Sequence, residues 1–216
     1  MKRLAISMLT LACAVAAIAS MRRPQQVEIR IAQAGPDTLD RVELDGSGTW
    51  RVSNGLLILE KPGTPSGAIR RPAALAIFKT PTMERVLLTV DLRCTAPVDV
   101  IHRDLEIVFG YESPTRFYYA HLAGTTDAVH NGVFIVNNAD RRRIDPRTPA
   151  PQLRDQAWHH VALERDGATG RVRIFVDQST SPAWDFADTT IRSGRVGFGS
   201  FDDTGEFKNI SIVGGP

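Results

Sequence analysis

Four side chains able to carry or move a proton, His102, Asp104, Glu106 and His121, stand inside the apolar run HRDLEIVFGYESPTRFYYAHL at residues 102–122. A strand turns successive side chains to opposite faces, so Leu105, Ile107, Phe109 and Tyr111 are expected on one face, as core. Asp104, Glu106, Val108 and Gly110 are expected on the other. The two acids are then one strand repeat apart, roughly 6.5–7 Å between Cα atoms. That lies within the roughly 5–9.5 Å that glycosidase carboxylates span. The same spacing suits an ordinary solvated strand. In RFYYAHL, Phe117, Tyr119 and His121 share one face, and Tyr118, Ala120 and Leu122 the other. If the first set faces the carboxylates, acids meet an imidazole and a flat ring, a combination that holds sugars by hydrogen bonds and CH stacking. Otherwise Tyr119 is core and His121 a satisfied hydrogen-bonding residue.

Positioning these groups falls to strands. Short segments of β-formers recur between Gly, Pro, Asn and Asp clusters, and no helical stripe competes with them. The pattern predicts strands at 27–32, 49–52, 56–60, 68–70, 74–79, 85–94, 104–111, 116–122, 132–136, 158–165, 171–177, 194–200 and 207–213. In RVRIFVD at 171–177, Val172, Ile174 and Val176 alternate with Arg171, Arg173, Phe175 and Asp177, so one side is core. So many strands without helices require two packed sheets or a barrel, and the expectation is a two-sheet antiparallel β-sandwich of jelly-roll type over 27–214. Residues 144–157 carry three prolines and read as a surface loop.

The N-terminus opens with Lys2 and Arg3, an apolar stretch from Leu4 to Ala19, and the small-residue triplet Ala17-Ile18-Ala19. This is the layout of a signal peptide at 1–19, too short for the roughly 20 apolar residues of a membrane span, and it predicts a periplasmic or secreted protein. Losing Lys2 and Arg3 takes the formal net charge from +2 to zero. No electrostatic footprint for nucleic acid remains, because Arg141-Arg142-Arg143 is flanked by Asp140 and Asp145. No membrane contact is expected beyond the export signal. With Cys13 in the signal, Cys94 has no partner for an intramolecular disulfide and reads as a buried, inert thiol.

A resemblance joins these fragments. His102-Arg103-Asp104 through FGYESPTRFYYAHL, then His130-Asn131-Gly132 with VFIVNN, Trp158-His159 with HVALERDGATG, and GRVGFGSFDDTGEFKNISI resemble the concanavalin A-like jelly rolls over roughly residues 45–213. The domains labelled 3-keto-disaccharide hydrolase-like are nearest, and laminin G-like domains more distant. The resemblance implies a face that handles an oligo- or polysaccharide, with His102, Arg103, Asp104, Tyr119, His121, His130 and Asn131 on or beside it and Glu106 among its contacts. It also implies a choice between cleavage of a glycoside and a non-catalytic role as a lectin-like binding or adhesion module. The E-x-D-x-x-E signature of laminarinase-like relatives reads here as Glu43, Asp45 and Gly48, so the final acid is missing and two-carboxylate retaining chemistry is not expected there. A 3-keto sugar offers another route. His121 or His102 would remove the proton beside the carbonyl, Asp104 would tune the imidazole, and Arg103 would polarise the carbonyl. No cofactor is required by this reading, although Asp202, Asp203 and Glu206 in FDDTGEF offer oxygens suited to calcium, and His102, His121 and His130 nitrogens suited to zinc. The HRDL tetrapeptide of kinase catalytic loops is a chance match, since it runs straight into a strand.

Overall fold

The computed structural model describes residues 26–65, 67–147 and 150–216; the signal peptide expected at 1–19 lies outside them. Among the described residues fifteen strands form two antiparallel sheets. They are β1 (Val27–Ile31), β2 (Val42–Gly46), β3 (Thr49–Ser53), β4 (Leu56–Lys61), β5 (Ala74–Phe78), β6 (Arg85–Cys94), β7 (Asp104–Ser113) and β8 (Arg116–Ala123), followed by β9 (Gly132–Asn137), β10 (Arg142–Arg143), β11 (His159–Asp166), β12 (Arg171–Val176), β13 (Trp184–Ala187), β14 (Arg195–Ser200) and β15 (Gly205–Gly215). One sheet runs β13-β12-β11-β6-β15-β4-β3 with β1 also on β15; the other runs β10-β9-β8-β7-β14-β5-β2. A 3-10 turn at Pro36–Arg41, not expected from the sequence, leads into β2. Among the described residues no helix is long and apolar enough to cross a membrane.

The two sheets sandwich a core in which Leu88, Val90, Leu92, Val161, Leu163, Val172 and Ile174 face Leu105, Ile107, Phe109, Tyr118, Ala120 and Leu122. On β6 and β12 burial alternates residue by residue, as a half-buried strand requires. On β7, β8 and β9 it does not, because both faces are buried. A second apolar layer of Leu75, Ile77, Val108, Tyr111, Phe117, Tyr119, Phe134 and Val136 covers the outer face of the seven-stranded sheet, with Ile69 and Phe201 packed against it.

Tyr111 corrects the expected alternation, for it belongs to the outer layer rather than the core. Gly110 has φ +58, a left-handed conformation open to glycine, and β14 slips register there, pairing Gly197 with Val108 but Arg195 with Tyr111. The resulting bulge inserts one residue and reverses the faces beyond it. Residues 68–70 are not a strand: Arg70 N–H donates to Asp140 and its carbonyl accepts from Arg141 N–H, so this loop is tied across the outer layer. The strands β2, β10 and β13 were not anticipated. The first contains the Glu43 and Asp45 of the incomplete acid motif, whose carboxylates pair with Arg195 and Arg71.

Candidate functional site

The proton-carrying residues meet at one end of the seven-stranded sheet. Antiparallel pairing sets Glu106 opposite His121 and Asp104 opposite Ala123, which brings the start of β7 to the end of β8. His121 Nε2 lies 3.0 Å from Asp104 Oδ2 and 3.7 Å from Glu106 Oε1. All three residues are buried. The surface-strand alternative for the acid pair is thereby excluded. The reason is the cover supplied by the β8–β9 loop, which follows β8 directly, and by the turn after β14, remote in sequence.

Each member is held from outside the trio. His121 Nδ1 lies 3.2 Å from the Val129 carbonyl, which can only accept, so that nitrogen carries the proton and Nε2 faces the acids. Asp104 Oδ1 accepts from the Ser200 hydroxyl at 2.7 Å and from Phe201 N–H at 3.2 Å. Burial pushes the Asp104 carboxyl up, but the His121 charge and these hydrogen bonds outweigh it and hold it below the usual range. Glu106 has no such donors. Burial, reinforced by the neighbouring Asp104 charge, pushes its carboxyl well above the usual range. Asp203 Oδ2 accepts from Asp104 N–H at 2.8 Å, pinning β7 to the β14–β15 turn. Burial and then Asp104 raise the Asp203 carboxyl to about 6.

Above the trio the site reaches solvent through two more histidines. His130 stacks on the exposed His102 with ring centroids 4.4 Å apart and stands 5.5 Å from the His121 ring. His130 Nδ1 is 2.8 Å from Asp127 Oδ2. Phe201, half-buried, lies 5.5 Å from His121, and the exposed Asp202 carboxyl is raised by partial burial and by Asp104. Beside this mouth a hollow of about 400 Å³ is lined by Arg103 and Arg154 together with Val98, Val100, Ile101 and Thr125.

Other expected residues serve elsewhere. Arg103 is buried, and its Nη2 donates to the Cys94 carbonyl at 2.5 Å. Asn131, also buried, accepts from Ala123 N–H and donates to Thr126 Oγ1 and the Ala150 and Pro151 carbonyls, fastening two loops together. Tyr119 stacks on Phe134 at 5.4 Å and accepts from Arg141 Nη1. Glu206 points away, paired with Arg93 on the other sheet, so the FDDTGEF turn brings only Asp202 and Asp203 toward Asp104. Residues the sequence did not single out, Ser200, Phe201, Val129 and Arg141, complete the surroundings; Ser200 and Phe201 sit in the recognised GSFDDTG run.

Among the described residues three groupings could hold a metal ion, each with ligand atoms within 4.8 Å of one another: His102, Asp127 and His130; Asp104, Glu106 and His121; and Asp104, Asp202 and Asp203. Only the second is buried throughout.

The sequence matches no protein-family model and no curated protein. Solved structures share the fold. The carbohydrate binding module CBM66 from Bacillus subtilis superposes with a TM-score of 0.54 at 16% identity, over 80% of this chain and 96% of that one. The winged bean acidic lectin, in complex with methyl-alpha-D-galactose, gives 0.58 at 13% identity over 88% and 99%. Peanut lectin gives 0.57 at 10% identity over 88% and 97%. The architecture is therefore the lectin-type, concanavalin A-like jelly roll that the sequence resembles.

Proposed function

We propose that this chain is an exported carbohydrate-binding protein that takes its glycan at the mouth formed by His102, His130, Phe201 and Asp202. One observation carries the reading: polar rings, an aromatic ring and a carboxylate from three separate loops converge over the buried His121–Asp104 pair. Imidazole and carboxylate groups match sugar hydroxyls, and the Phe201 ring offers a surface for CH stacking. The lectins and the binding module of the same fold support the substrate class. A polysaccharide ligand also fits the signal-peptide pattern of residues 1–19. In a glycan array followed by calorimetry, the purified mature protein is expected to retain at least one oligosaccharide, and Phe201→Ala with His102→Ala to weaken it at least about tenfold. Retention unchanged in that variant would remove the mouth as the site.

A finer reading, cleavage of a 3-keto glycoside, is favoured by the stacked histidines that lead from the buried acid pair to the exposed His102. His102 would take the C2 proton beside the C3 carbonyl, and the resulting electron pair would expel the C1 alkoxide, which leaves protonated as the alcohol. Water would then add at C1 while C2 regains a proton, completing net hydrolysis. His121, held by Asp104 and the Val129 carbonyl, would position His130 and, through their stacking, His102. Turnover in deuterium oxide should label C2 of the product. Unlabelled product, or turnover intact in His121→Ala, would rule the route out and leave binding alone.

A further inference from the structure

The buried trio beneath the mouth contains atoms without partners. Both carboxylate oxygens of Glu106 and the Nε2 of His121 make no hydrogen bond, although Glu106 is 0% exposed. The 3.0 Å approach of His121 to Asp104 is close, but it is not aligned as a hydrogen bond. Polar atoms this deep are normally satisfied, and an ionised acid without donors is among the least tolerable groups to bury. A neutral Glu106 would in turn keep a hydroxyl with no acceptor.

We propose that His121 Nε2, Asp104 Oδ2 and a Glu106 oxygen bind one divalent transition-metal ion of the zinc or manganese class. A metal with bonds of about 2.0–2.2 Å in a tetrahedron holds its ligand atoms roughly 3.3–3.6 Å apart. The observed separations from His121 Nε2, 3.0 and 3.7 Å, bracket that edge. Imidazole nitrogen with two carboxylates selects zinc, manganese or iron over calcium and magnesium, which take oxygen.

The surroundings are those of metal ligands. Donation from His121 Nδ1 to the Val129 carbonyl fixes the tautomer that leaves Nε2 free to coordinate. Ser200 and Phe201 engage only Asp104 Oδ1, which leaves Oδ2 turned to the imidazole. The exposed Asp202 lies on the same side, its carboxylate within 4.8 Å of that of Asp104. His130 and His102 line the way in from solvent. Asp203 Oδ2 accepts from Asp104 N–H and so holds the backbone of one ligand in place.

The proposal is independent of glycan binding and is tested without it. The mature protein, stripped with chelator, is titrated with zinc and with cobalt(II) as a spectroscopic probe, alongside Glu106→Gln, Asp104→Asn and the double variant His102→Ala, His130→Ala. One equivalent should bind the wild type, raise its Tm by several degrees and give the visible cobalt bands of a low-coordinate nitrogen–oxygen site. Glu106→Gln and Asp104→Asn should each weaken binding at least about 100-fold, while the double variant changes it by less than about fivefold. No binding to the wild type would overturn the proposal. So would full affinity in Glu106→Gln with loss in the double variant, which would move the metal to the surface His102–Asp127–His130 group. Should the acid variants fail to fold, X-ray absorption of the zinc-loaded wild type decides the matter: one imidazole in the shell supports the site, and two overturn it.

Discussion

The two sheets bury their shared interface in the same way, yet their outer faces have opposite fates. On the eight-stranded sheet the outward residues are Leu87, 45% exposed, and charges paired across neighbouring strands, such as Arg171 with Asp185 and Arg173 with Glu164. They border an open groove of about 1130 Å³. On the seven-stranded sheet the outward residues are a second apolar layer roofed by Ile69, Phe201 and Arg141, whose guanidinium lies over Phe134 and Phe201. A charge on the open face finds a partner or water at little cost, whereas a charge under the roof has neither unless one was built for it. The buried Asp104, Glu106 and His121 on the roofed face therefore mark where folding tolerated a cost, and the site is sought there.

The largest expected contrast is in packing. Phe134→Ala should cost about 3–5 kcal/mol, because it removes a fully buried ring stacked on Tyr119 and leaves a cavity. Leu87→Ala should cost less than about 1 kcal/mol, since nearly half of that residue is already in water. Urea denaturation of both variants measures the difference, and equal costs would mean that the roof stands open in solution.

A smaller contrast is one of sign. Asp203, under the roof, titrates at about 6 in the folded chain against about 3.9 unfolded. Between those values the native state holds a proton the unfolded state has released, so its contribution to stability falls as pH rises through that window. Asp185, on the open face, is lowered by its hydrogen bond to Arg171, so its contribution is present above the unfolded value and is lost on acidification. In metal-free buffer the wild type should lose on the order of 2–3 kcal/mol relative to Asp203→Asn between pH 4 and pH 7. The asparagine keeps an acceptor for Asp104 N–H. A flat difference would show that Asp203 is solvated.

Legibility from sequence divides along the same line. Where one face is wet, as in RVRIFV, alternation read the strand and its division into two faces, and the buried face is that of Val172, Ile174 and Val176. Alternation set Asp104 with Glu106 and Tyr119 with His121, and the register of β7 on β8 is what puts the two pairs on one face. Their burial was not legible, because Phe201 is distant in sequence and the neighbouring loop that carries Val129 has no periodic pattern to show that it folds back over the site. Tyr111 was assigned to the wrong face because an apolar run buried on both sides gives no signal for a bulge, and a strand glycine was the only hint. Gly110→Ala should cost about 1–3 kcal/mol in the same denaturation assay, for a methyl there would take a positive φ and meet Arg165 Nη1 at 2.6 Å. A neutral result would mean that the bulge can slide, and with it the faces beyond.

The finest test concerns Cys94, which lies between the two regimes at the end of β6 and faces the shared core. Burial pushes its thiol up to about 11, despite the backbone N–H of Ala96 and the nearby Arg103 charge, which favour the thiolate. The thiolate is the reactive form, so at pH 8 well under one molecule in a hundred carries it, and even that fraction is screened from reagent. A disulfide reagent should leave the native thiol unmodified over the time in which it consumes that of the urea-unfolded chain. Arg103→Met should speed the reaction only to the extent that the loop beneath the histidine mouth opens. Modification of that variant therefore reports how firmly the buried arginine holds the mouth to the core, and a rate equal to that of the unfolded chain would mean that the two are not held together at all.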